Sequence, residues 1–124
     1  MDLKLKPKKL KFSFLDTGMW GHAILFFHGD GKKYKAYCKK HFKEDMDIEG
    51  DIGLTSYIPG EPILVWVEDL KRVPTIAHEL LHAVSFLLRE KGVIHTSDTE
   101  EVYAYLLGDL LRQVLSRKKW LNAK

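Results

Sequence analysis

The chain has one cysteine, Cys38, in 124 residues, so no disulfide can close within it. A reducing compartment is the simplest reading, and the cytoplasm is the expected location. Long apolar runs are also missing. The hydrophobic stretches are short and interrupted by charges, which leaves no segment able to span a bilayer, and no membrane partner is expected. The basic stretch of residues 1–11 lacks the apolar core of a signal peptide. Internal repeats and low-complexity linkers are absent, and a chain this short has room for one core, so residues 1–124 are expected to form a single domain. A hydrophobic content of 45% with 30% charged residues excludes a disordered chain.

The net charge is only +3, but it is unevenly spread. Lys4, Lys6, Lys8, Lys9 and Lys11 crowd one end, and Arg117, Lys118 and Lys119 the other. Such runs read first as a solvated surface with basic ends. No nucleic-acid motif accompanies them, so a nucleic-acid partner is not expected; if one bound, its affinity would fall steeply with salt.

The pattern divides into a strand-rich first half and a helical second half. Residues 9–15 alternate, with Leu10, Phe12 and Phe14 on one side, as in a half-buried strand. Residues 23–27 form a short apolar run. Gly29-Asp30-Gly31 is a tight-turn signal and residues 33–38 alternate beyond it, which predicts a β-hairpin. Residues 39–53 are polar and acidic and read as a loop; Pro59-Gly60 marks a turn. Residues 63–68, Ile-Leu-Val-Trp-Val-Glu, are the most strand-like in the chain.

Pro74 suits the first turn of a helix. From Thr75 onward apolar residues recur on nearly all sides, which predicts a core helix over about 75–91, with Gly92 as its C-cap. Ser97 followed by Glu100 is a capping-box pattern, opening a second, antiparallel helix over about 98–117. The expected fold is α+β: a small antiparallel or mixed sheet from the N-terminal half, packed on the core helix and its partner.

The chemistry lies in His78-Glu79-Leu80-Leu81-His82. Residues four apart share a helix face, so His78 and His82 can aim both imidazoles at one point. A zinc ion accepts such nitrogens at roughly 2.0–2.1 Å. Glu79 falls beside that point, where a carboxylate can take a proton from water whose pKa zinc lowers to about 7. Two histidines and a glutamate on an apolar helix would be costly unless something satisfied them, and a metal does.

Catalytic zinc sites commonly use three protein ligands. The second helix opens with Asp98-Thr99-Glu100-Glu101, and Glu101 is the preferred third ligand because the capping box engages Glu100. Glu101, Ala104, Tyr105 and Gly108 share one face, and the two small residues would let the helices approach closely. Glu100 and then Asp98 are substitutes for Glu101, and His95 is a weaker rival. Tyr105, Tyr103 and His95 are the oxyanion-stabilising candidates. His22, His28 and His41 stand apart from the motif, Cys38 with His41 is too weak a pairing to count, and Trp20, Trp66 and Trp120 read as core or rim aromatics.

HELLH with a downstream glutamate on a second helix resembles the gluzincin branch of the zincin metallopeptidases. Glu101-Val-Tyr-Ala-Tyr-Leu-Leu-Gly is similar to the E-x-x-A-Y-L pattern of small phage-encoded HExxH proteins, and more loosely to the second helix of ImmA/IrrE-type peptidases. The resemblance covers about residues 61–112, and residues 1–60 carry no assignable motif. The metzincin H-x-x-G-x-x-H is missing, as is the thermolysin-like N-E-x-x-S-D, since Thr99 and Glu100 precede Glu101. The resemblance implies a zinc-dependent peptidase with a peptide or protein substrate. It also implies an edge strand before the motif helix that holds extended peptide, a role expected of Val65, Trp66 and Val67. The alternative is a zinc-containing regulatory or protein-binding module of phage or mobile-element type, without hydrolysis.

Overall fold

A computed structural model describes residues 8–116 and 120–124. Among them the sheet has five strands in the order β3-β4-β2-β1-β5: β1 (Lys11–Leu15), β2 (Ile24–His28), β3 (Gly53–Ser56), β4 (Ile63–Val67) and β5 (Leu121–Asn122). Three helices cover it, α1 (Gly31–Phe42), α2 (Val73–Glu90) and α3 (Glu100–Ser116). The fold is α+β with a mixed sheet: β2 and β4 pair in parallel, and the other neighbours are antiparallel.

The parallel pair explains the apolar runs of β2 and β4. Leu25, Phe27, Leu64 and Trp66 face α1 with Tyr34 and Cys38. Ile24, Phe26, Ile63, Val65 and Val67 face α2 and α3. Strands covered on both sides lose the polar half of the alternation. A parallel pair also needs a crossover, and that requirement overturns the expected hairpin. Residues 33–38 are helical, not a strand, and the helix continues through the first residues of the expected 39–53 loop, which ends in β3. Tyr34 and Cys38 are the buried side chains of α1, four residues apart. Asp30 does not turn a hairpin; it caps α1, its carboxylate accepting from the Lys33 N–H at 3.1 Å. Gly29 is required by close approach, because its φ is 135° and a Cβ there would stand 2.3 Å from the Lys9 carbonyl oxygen.

Two further expectations change. The motif helix is not apolar all round. Ile76, Leu80, Ala83, Val84, Leu87 and Leu88 are buried, while His78, Leu81 and His82 are exposed. The second helix starts at Glu100 rather than 98, behind Thr99, whose carbonyl accepts from Val102 and Tyr103. Ser97 therefore does not head a capping box. The Thr99 hydroxyl ties down the preceding loop, accepting from the Thr96 N–H at 2.8 Å and donating to the Ile94 carbonyl. The expected helix end at Arg117 lies outside the described residues, as do Lys4, Lys6, Lys118 and Lys119. Among the described residues no helix is long and apolar enough to cross a membrane.

Candidate metal centre

The site forms on the face of α2 that looks toward the sheet edge. The strand at that edge is β3, and β4 lies inside the sheet between β3 and β2. Val65, Trp66 and Val67 are accordingly at most 1% exposed and cannot take an added peptide strand. The edge position passes to Gly53–Ser56, whose strand character is diluted by Gly53 and Ser56 and so left no clear signal.

Register decides what β3 shows to α2. Gly53 pairs with Val67 and Thr55 with Val65, so both lie on the sheet face that packs on α2. The Thr55 hydroxyl lies 2.7 Å from Glu79 Oε1 and 2.9 Å from the Glu79 carbonyl oxygen. It donates to the carboxylate and fixes its direction. Gly53 has no side chain to intervene: a Cβ there would stand 3.0 Å from both Glu79 Cγ and Thr75 Cγ2. Glu79 is thus only 7% exposed, yet one of its oxygens has a donor. Its other oxygen, Oε2, faces His78 Nε2 at 3.9 Å.

His78 and His82 turn their Nε2 atoms toward each other at 3.3 Å, with ring planes 78° apart. Two ligands at roughly 2.0–2.1 Å from a tetrahedral ion stand about 3.3–3.4 Å apart. The imidazole pair therefore fits zinc as two of its ligands, with Glu79 alongside. A cleft of about 390 Å³ opens beside the pair, lined among others by Asp51, Gly53, Thr75, His78 and Glu79.

The expected third ligand does not join them. Among the described residues no three His, Cys, Asp or Glu side chains gather into a group able to hold a metal. Glu101, Ala104, Tyr105 and Gly108 all lie exposed, and nothing lies within 4 Å of a Cβ built on Gly108. α3 meets the core through Tyr103, Leu106, Leu110 and Val114 instead, the larger apolar stripe. Glu100, Asp98 and His95 are exposed as well. Tyr103 is buried and donates its hydroxyl to the Val93 carbonyl, while the His95 ring packs edge-on against it at 4.7 Å. Tyr105 is 75% exposed and lines a separate hollow with Thr17, Trp20 and Asp109. None of these three stands among the residues lining the cleft beside His78 and Glu79.

Sequence reasoning missed Thr55 and Gly53. A threonine and a glycine have no motif of their own here, and only the pairing register shows that they meet Glu79. Compared with protein-family models, curated proteins and solved structures, the chain matches none of them.

Proposed function

We propose that the protein is a zinc-dependent hydrolase that cleaves peptide bonds in a cytoplasmic peptide or protein, in keeping with the resemblance of HELLH to the zincins. One observation carries the reading: two imidazole nitrogens at a zinc-ligand separation, beside a buried carboxylate that a neighbouring strand holds in place. Zinc, when bound, supplies Lewis-acid activation of water and of the scissile carbonyl. His78 and His82 are the residues that hold it. Glu79 is the general base, receiving a proton at Oε2 while Thr55 engages Oε1, and the same oxygen can return it to the leaving amine. An extended substrate adds to the outer edge of β3, which presents backbone groups on the side away from β4.

A second reading has its own support. The absence of a converging third ligand among the described residues favours a regulatory or binding module that carries zinc without hydrolysis. The discriminating experiment follows cleavage of a quenched-fluorescent peptide mixture by zinc-loaded wild type and Glu79→Gln. Loss of about 10²–10⁴-fold in rate with zinc retained supports the hydrolase. Zinc binding with no turnover in either protein supports the module.

A further inference from the structure

The face of the sheet away from the histidines carries a second concavity of about 390 Å³. One wall is α1, with Lys33, Ala36, Tyr37, Lys40 and His41; the other is the pair of residues just before β1 and the end of β5 with the two residues after it. The His41 Nε2–H donates to the Lys124 carbonyl oxygen at 2.7 Å, and the Ala123 N–H donates to the Leu10 carbonyl at 3.0 Å, so both ends of the opposite wall are pinned.

Its side-chain charge is basic. Lys9, Lys33, Lys40 and Lys124 line it, no Asp or Glu side chain does, and among the described residues none of these four ammonium groups is in an ion pair. Gathering like charges is unfavourable without a counter-charge. The cavity floor is apolar, with Leu10, Ala36 and Ala123, and the Tyr37 ring packs against His41 with centroids 4.2 Å apart and planes tilted by 33°. A volume in this range, apolar within and rimmed by a few charged groups, is what a small-molecule site requires.

We propose that this cavity binds a phosphate ester on a flat organic body, the chemistry of a nucleoside monophosphate. The lysines engage the phosphate as point charges, and the body lies against Tyr37 and the apolar floor. The site is separate from the histidine pair and does not depend on the hydrolase reading.

The test is calorimetric titration of the full chain at physiological salt with AMP, adenosine, inorganic phosphate and a 5′-phosphorylated oligonucleotide. Wild type is compared with K33A/K40A, two cavity lysines, and with K32A/K39A, two exposed lysines of the same helix outside the cavity. All four positions are exposed, and circular dichroism checks that each variant folds. The expected result is AMP binding that exceeds adenosine and phosphate alone, falls about tenfold or more in K33A/K40A, and changes less than about threefold in K32A/K39A. An oligonucleotide that binds tighter than AMP with the same variant pattern identifies a strand end as the source of the phosphate; one that binds no tighter identifies a free nucleotide. Absence of AMP binding, or equal loss in both double variants, overturns the proposal, the latter by showing diffuse attraction of polyanions to a basic surface.

Discussion

Helix α2 has two flanks, and they are built on different chemistry. Toward β3 the contacts are directional: a hydroxyl on a carboxylate, and a glycine that lets the strand come close. Toward α3 they are apolar, made by Tyr103, Leu106, Leu110 and Val114. The strand flank orients the Glu79 carboxylate, whereas the helix flank supplies cohesion and leaves its acidic first turn in solvent. The Glu79 carboxylate on α2 is thus positioned from the sheet edge, while the first turn of α3, from which a third ligand was expected, stays exposed.

The largest effect expected belongs to the helix flank. Leu110 is fully buried, and Leu110→Ala should cost about 2–5 kcal/mol of stability in a denaturant titration. Zinc affinity below the melting range should stay the same; a parallel loss would mean that α3 shapes the site after all. On the strand flank, Thr55→Val removes the donor to a buried carboxylate and should cost about 1–3 kcal/mol, with Thr55→Ser recovering most of it. If valine and serine behave alike, the hydroxyl is not what orients Glu79.

Acid should act through a half-buried histidine of β2. Burial, with help from Lys11 and then Lys8, lowers the pKa of His28 from 6.5 to about 4 against the opposing pull of Asp69. Its Nε2 is buried with no hydrogen-bond partner among the described residues. The native state therefore favours neutral His28. As pH falls below 6.5 the unfolded chain takes up a proton that the folded one refuses, so stability declines from there to about pH 4 and then levels off. Allowing for the ring's partial exposure, the loss is about 1–2 kcal/mol. Melting temperatures of His28→Phe should be flatter across this window than those of wild type, which separates global acid lability from effects at His78 and His82. The smallest effect is at Glu101. With α3 packed as observed, Glu101→Ala should change stability by less than about 0.5 kcal/mol and leave zinc affinity unaltered. A tenfold weaker affinity would show that the first turn of α3 swings inward when metal binds.

The fold class was legible because β1 and α3 repeat with the period of their element, while β2, β4 and α2 stand out as apolar runs of strand or helix length. The helix α1 was not, since Lys33 to Cys38 alternates over a short window and an Asp between two glycines signals both a hairpin turn and a helix cap. The longer spacing Tyr34, Tyr37, Cys38, His41 is helical, and the need for a crossover between parallel strands decides the matter. The approach of His78 to His82 was legible because residues four apart on a helix share a face. Glu101 lies in solvent because helix packing follows the larger apolar stripe, and the small residues beside it do not compete. Strand order was invisible, and with it the roles of Thr55 and Gly53, because an edge position is a property of pairing between distant segments.

The most direct test is metal stoichiometry of the untagged chain after zinc supplementation and dialysis, read beside His82→Ala. The account predicts about one zinc per chain in the wild type and its loss in the variant. A wild type that retains no zinc, or a His82→Ala chain that retains as much, would contradict it.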